Sequence, residues 1–161
     1  MKRLLIVGAG GHGRSVAEAV LAAGKYELAG FVDDAAPALQ QVWHLPVFGD
    51  TADLARYREH ADAAIVAMGN NRLREALQHA LYAAGFALAT VVHPQAMVSP
   101  RAVIGEGGAI MAGAIVGTGA QLGAGVIVNC GAVVDHDGRV DDFCHLGVNA
   151  AMSGGSVLGR G

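Results

Sequence analysis

Residues 98–128 read VSPRAVIGEGGAIMAGAIVGTGAQLGAGVIV, and every sixth residue is aliphatic: Val98, Ile104, Ile110, Val116, Leu122 and Val128. The register continues through Val134, Val140, Leu146, Met152 and Leu158 without a break. Four positions after each aliphatic the residue is small almost throughout, as at Ala102, Gly108, Ala114, Ala120, Ala132 and Ala150. Glycine often follows the aliphatic directly, at Gly105, Gly117, Gly123, Gly147 and Gly159.

A six-residue repeat of this kind specifies a solenoid in which each hexapeptide forms one short strand and one corner. The aliphatic points inward and stacks on its counterpart one coil away. The small residue fits the corner, and glycine permits the turn. A Gly-rich alternating β-domain would not hold this register for about sixty residues. Residues 93–161 are therefore expected to form an all-β left-handed parallel β-helix with three hexapeptides per coil.

Upstream of the array, residues 1–92 follow other periods. RLLIVG (3–8), ELAGFVDD (27–34), DAAIVAMGNN (62–71) and FALATVVHP (86–94) read as buried strands. RSVAEAVLAAG (14–24) has helical spacing and a stop at Gly24. TADLARYREH (51–60) reads as a short helix opened by a Thr51 cap. NRLREALQHALYAAG (71–85) places Leu73, Leu77 and Leu81 on one face. This alternation predicts an α/β domain with a short Rossmann-like parallel sheet.

Composition narrows the function. The chain has 161 residues, 53% hydrophobic and 16% charged, with a net charge of −3, so disorder and a nucleic-acid surface are not expected. No apolar run approaches the roughly 20 residues that span a bilayer. The start MKRLLIVGAG breaks at its glycines and Arg14 follows, so it reads as a buried strand of a cytoplasmic protein, without a membrane partner. Cys130 and Cys144 form no CxxC pair.

GAGGHG (8–13) fits G-x-G-x-x-G through Gly8, Gly10 and Gly13. Gly10, Gly11 and His12 lie where a strand hands over to a helix, whose backbone N–H groups and dipole suit a phosphate. Asp33 and Asp34 follow about 20 residues later, where an acid meets ribose hydroxyls in dinucleotide sites. Gly69 and Asn70 end a third strand at the same crevice, although Asn70 or Asn71 reads equally well as a helix cap. His136 occupies a non-inward repeat position, free to act as a base near neutral pH, with Asp137 beside it to orient the ring. Asp135 is a substitute for Asp137.

Five stretches, GAGGHG (8–13), FVDD (31–34), AMGNNRLR (67–74), VVHPQAMVSP (91–100) and VVDHDGRVDDFCHLGVNA (133–150), occur in this order ahead of and within the repeats. In them the chain resembles the bacterial hexapeptide-repeat sugar acetyltransferases, namely the UDP-4-amino-sugar N-acetyltransferases and the similar sialic acid O-acetyltransferases. The resemblance implies an acetyl-CoA-dependent transferase acting on the amine of a nucleotide-linked 4-amino-4,6-dideoxy sugar. It assigns Gly10, Gly11, His12, Asp33, Asp34, Gly69 and Asn70 to the substrate and His136 with Asp137 to catalysis. By the same resemblance His145 contacts acetyl-CoA, and the protein is a homotrimer with active sites in the grooves between subunits. The family often has Glu where this chain has Asp137. Its members continue for several more coils, so SVLGRG at the end is expected to mark a shortened chain lacking part of the acyl-donor site.

Other readings stand beside this one. They are O-acetylation of sialic acid or a related sugar, a nicotinamide-dependent oxidoreductase, and a non-catalytic trimeric scaffold. Zinc chemistry of the γ-class carbonic anhydrase kind needs a close His pair and a third His. His136 and His145 are nine apart and no third His lies in the repeats, so no metal is expected.

Overall fold

A computed structural model describes residues 1–160, which form two compact units, one spanning Met1–Ala89 and one beginning at Thr90. In the first unit a parallel sheet has the order β2-β1-β5-β6, from β1 (Lys2–Val7), β2 (Tyr26–Val32), β5 (Ala63–Val66) and β6 (Ala87–Leu88). The central strand β1 buries Leu4 to Val7 completely, as a strand covered on both faces must. Helix α1 (Gly11–Ala23) ends at Gly24, whose φ of 64° and N–H to Val20 C=O give a left-handed cap. Helix α2 is Asn71–Ala83.

Between β2 and β5 the chain differs from expectation. A hairpin, β3 (Gln41–Val42) with β4 (Leu45–Pro46), precedes a single 3₁₀ turn at Leu54–Tyr57. Thr51 does not cap that turn; its N–H and hydroxyl both donate to Asp34 Oδ1 at 2.8 Å. On α2, Leu77 and Leu81 are buried but Leu73 is 43% exposed. The buried stripe is Arg74, Leu77, Gln78 and Leu81, so the helix is rotated from the all-leucine face.

Among the described residues the second unit holds twelve two-residue strands, β7 (Val91–Val92) to β18 (Val157–Leu158), one every six residues. They stack in three parallel sheets, β7-β10-β13-β16, β8-β11-β14-β17 and β9-β12-β15-β18. Each strand pairs with the one eighteen residues on, as Val92 with Ile110 and Ile110 with Val128. This is a three-sided parallel β-helix of hexapeptide repeats. It begins one repeat earlier than expected, at Val92, and so the segment 86–94 is divided. Ala87–Leu88 joins the sheet of the first unit, whereas Val91–Val92 pairs with Ala109–Ile110. Ile110, Val116, Leu122, Val128, Val134, Val140 and Leu146 form the buried axis of the solenoid.

The corner conformation also falls at an unexpected position. Positive φ recurs at Gly107, Gly113, Gly119, Gly125, Gly131, Asp137, Phe143, Asn149 and Gly155, three residues after each aliphatic from Ile104 to Met152. Gly105, Gly117 and Gly123, next to the aliphatic, have ordinary φ and serve close approach instead. A Cβ at Gly105 would lie 2.6 Å from the Gly123 carbonyl carbon, and one at Gly117 would lie 2.7 Å from the His136 nitrogen. Among the described residues no helix is long and apolar enough to cross a membrane.

Candidate functional site

The four loop glycines divide into two kinds. Gly8 has φ +111°, and a Cβ there would sit 2.7 Å from the Ala67 carbonyl oxygen. A Cβ at Gly13 would overlap the Gly8 carbonyl. Both are therefore required by the way β1 passes into α1. Gly10 and Gly11 have ordinary φ, and a Cβ at either would meet nothing within 4 Å. The fold does not need glycine at these two positions, but a ligand lying close against the backbone would. Gly10 is the N-cap of α1 and supplies no capping side chain, and the first turn carries no acidic residue. The positive end of a 13-residue helix is thus presented with its N–H groups uncovered by side-chain carboxylates. His12, half-buried, stands in that first turn.

Asp33 and Asp34 do different work. Asp33 Oδ2 accepts from the Ala9 N–H at 2.7 Å and its Oδ1 from the Ala35 N–H at 2.8 Å, tying the end of β2 to the glycine loop. Asp34 is exposed, and Thr51 occupies only its Oδ1. Asp33 thereby shapes the loop, while Asp34 is engaged by Thr51 through Oδ1. Gly69 and Asn70 are exposed at the end of β5, and Asn70 caps α2 by accepting the Leu73 N–H at 2.9 Å. Sequence reasoning took Thr51 for a helix cap rather than a partner of Asp34, and it did not single out Arg74. Arg74 is fully buried and donates to the Met68 carbonyl at 2.9 Å, to the Gly69 carbonyl and to Asn71 Oδ1 at 2.8 Å, so it fixes the Gly69–Asn70 turn from below. Its signal was an arginine spaced three and seven residues before Leu77 and Leu81, on the buried stripe of the helix.

In the β-helix, His136 lies in the corner after β14 (Val133–Val134), with its side chain 58% exposed. The corner is knit by backbone and carboxylates. Asp135 Oδ1 accepts the His136 N–H at 2.7 Å, and the Asp137 N–H donates to the Thr118 carbonyl one coil below at 2.9 Å. His136 Nδ1 is 3.0 Å from Asp137 Oδ2. A carboxylate only accepts, so Nδ1 carries the proton and the neutral ring keeps its lone pair on Nε2. This hydrogen bond to Asp137, reinforced by the charge of Asp135, raises the imidazole pKa above its usual value. Asp137 has φ +57°, a left-handed conformation that Asp tolerates better than Glu because its short polar side chain bonds locally.

His145 lies on β16 (His145–Leu146), beside the inward Leu146. Asn129 Nδ2 is 3.2 Å from His145 Nε2, and Asn129 Oδ1 accepts the Cys130 N–H at 2.8 Å. The amide therefore donates to Nε2, and a neutral His145 carries its proton on Nδ1. Asn129 was also missed, although it stands near one coil before His145. The structure does not bring His136 and His145 together. His136 occupies the corner between the β14 and β15 faces, and His145 lies on the remaining face of the three. A polar hollow of about 410 Å³ on the β15 face is lined by Gln121, Arg139, Asp141, Asp142 and Arg160 among others. Among the described residues no three His, Cys, Asp or Glu side chains gather as a metal site.

Residues 3–81 match the PglD N-terminal domain family. The whole chain is similar to the acetyltransferase domain of PglB from Neisseria gonorrhoeae FA1090, solved in complex with acetyl coenzyme A. The two share 41% identity and a TM-score of 0.91, over 98% of this chain and 76% of that one. It is similar as well to a mutant perosamine N-acetyltransferase from Caulobacter crescentus in complex with CoA and GDP-perosamine. Here identity is 39% and TM-score 0.93, over 99% of this chain and 75% of that one. WeeI from Acinetobacter baumannii AYE shares the fold at 18% identity and a TM-score of 0.74, over 100% of this chain and 90% of that one. None of the curated proteins matches the chain.

Proposed function

The chain belongs to the family of hexapeptide-repeat sugar acetyltransferases, and on that premise we propose that it moves the acetyl group of acetyl-CoA onto the amine of a nucleotide-linked 4-amino-4,6-dideoxy sugar. His136 Nε2 takes a proton from the amine as the nitrogen attacks the thioester carbonyl. The tetrahedral intermediate collapses with loss of the coenzyme A thiolate, which receives the proton from the imidazolium. Asp137 holds the Nδ1 proton and stabilises the imidazolium charge. Gly10 and Gly11 admit the diphosphate to the start of α1, His12 contacts it, and Asp34 takes the ribose hydroxyls. Gly69 and Asn70 border the same substrate.

The observation that carries this reading is the ring geometry of His136, proton on Nδ1 toward Asp137 and lone pair on Nε2 at an exposed corner. The nucleotide-linked amino sugar is drawn from the likeness to the enzyme whose complex holds GDP-perosamine. His145 serves the acetyl-CoA from a different subunit. One copy sets His136 and His145 on different sides of its β-helix, so a site using both takes one from each of two copies. This favours an oligomer with its sites in the grooves between subunits, which we read as a homotrimer; its work in the cytoplasm in polysaccharide biosynthesis is drawn from the resemblance to the family alone.

The test incubates the protein with acetyl-CoA and GDP- or UDP-linked 4-amino-4,6-dideoxy sugars and follows free thiol and product mass. Thiol release with a gain of one acetyl group on the amine is expected. His136→Ala should lower kcat by about 10²–10⁴-fold while nucleotide-sugar binding persists. Full activity of that variant would overturn the assignment of the base.

A further inference from the structure

Gly154 follows His136 by eighteen residues, one coil along at the same corner, since β14 pairs with β17 (Ala151–Met152) in the register Val134 to Met152. The two corners are joined by the Gly155 N–H, which donates to the His136 carbonyl at 2.9 Å. The adjacent glycines are there for different reasons. Gly155 has φ +69°, the corner conformation, and a Cβ on it would meet nothing within 4 Å. Gly154 has an ordinary φ, so its backbone would accept any residue. A Cβ on Gly154 would instead overlap Nε2, Cε1 and Cδ2 of His136, one whole edge of the imidazole.

We propose that Gly154 is a positioning residue for the base: its missing side chain is the seat on which the His136 ring lies while Asp137 holds Nδ1. The inference rests on the reading of His136 as the proton acceptor. An exposed histidine beside one carboxylate has more than one rotamer available. A flat seat on the next coil removes that freedom, because the ring lies face-on over a bare Cα with its Nδ1 still in reach of Asp137. Any side chain at 154 lifts the ring and lengthens the Asp137 contact. The reaction then loses both the aim of Nε2 and the basicity that Asp137 supplies. Threonine and proline stand at the equivalent corner positions one and two coils before His136, at Thr118 and Pro100, so the repeat itself does not demand glycine there.

The test is Gly154→Ala, with Gly155→Ala as its partner. Gly154→Ala should keep its thermal stability, because alanine suits an ordinary φ. Its kcat should fall by about tenfold or more, with KM for acetyl-CoA and for the nucleotide sugar changed less than twofold. The His136 pKa, read by NMR of the imidazole nitrogens, should drop toward the usual histidine value as the ring leaves Asp137. In a His136→Ala background the Gly154→Ala change should have no further effect on the residual rate. Gly155→Ala should do the reverse, losing stability while keeping kcat and the pKa. Unchanged kcat and pKa in Gly154→Ala would overturn the seat, as would an equal loss in the His136→Ala background. If His136→Ala alone kept full activity, the base itself would be wrong, an outcome distinct from failure of the seat.

Discussion

At the scale of single residues, the proposed chemistry needs an exposed histidine to be made more basic without being buried. Desolvation would lower an imidazole pKa, whereas the Asp137 hydrogen bond and the Asp135 charge raise it. A general base works in its neutral form, so the acid limb of the pH–rate profile should lie above the usual histidine pKa. Asp137→Asn removes the carboxylate that favours the imidazolium, so the limb should move to lower pH. The plateau should fall on the order of tenfold as the ring loses its partner, measured as kcat/KM against pH. An unmoved limb would exclude Asp137 as the cause. The exposed corner and the pairing of His136 with Asp137 were legible in the sequence because both sit at a non-inward place in the register. Gly154 and Asn129 were not, since each acts through a partner about one coil away. The eighteen-residue spacing that would have exposed them becomes usable only once three hexapeptides are known to close one turn.

At the scale of elements, the strand-to-helix loop separates glycines that the fold requires from glycines that it does not, which the proposed nucleotide sugar would require. Gly13→Ala should destabilise the protein, because its Cβ overlaps the Gly8 carbonyl and backbone on both sides must shift. Gly11→Ala should leave stability unchanged or raise it by up to about 1 kcal/mol, since alanine is favoured in a helix and the space is open. It should nevertheless raise KM for the nucleotide sugar about tenfold or more, read alongside urea denaturation of both variants. The motif was legible as a pattern, but not the division of labour within it. Asp33 and Asp34 show the same limit: adjacent identical acids looked like one feature, and only the partners Ala9 and Thr51 distinguish the one that braces the loop from the one that faces outward. Leu73 misled for a related reason. Helical spacing allowed a leucine face, and the buried Arg74, bonded to two carbonyls, turned the helix by one position.

At the scale of the whole molecule, the β-helix was the most legible part, since one aliphatic in six is a constraint that no other fold imposes for so long. Its start was misjudged by one repeat because Val91–Val92 also completes an apolar run that reads as a sheet strand. The conformation of its corners was misplaced because glycine is frequent at two repeat positions for two reasons, close stacking and positive φ. The regular spacing of those corners makes chain length a quantised variable. An insertion or deletion of eighteen residues adds or removes a storey and leaves every later side chain at its old azimuth. One of six turns everything downstream by a third of a revolution. Excising residues 139–144 should therefore leave a continuous solenoid with undiminished β-sheet circular dichroism, yet seat Arg160 where Gly154 had lain against the imidazole and swing His145 onto the side that β15 had held. Acetyl transfer should be abolished in a protein that still folds. Lineages of such enzymes are accordingly free to grow or shrink by whole storeys but not by fractions of one.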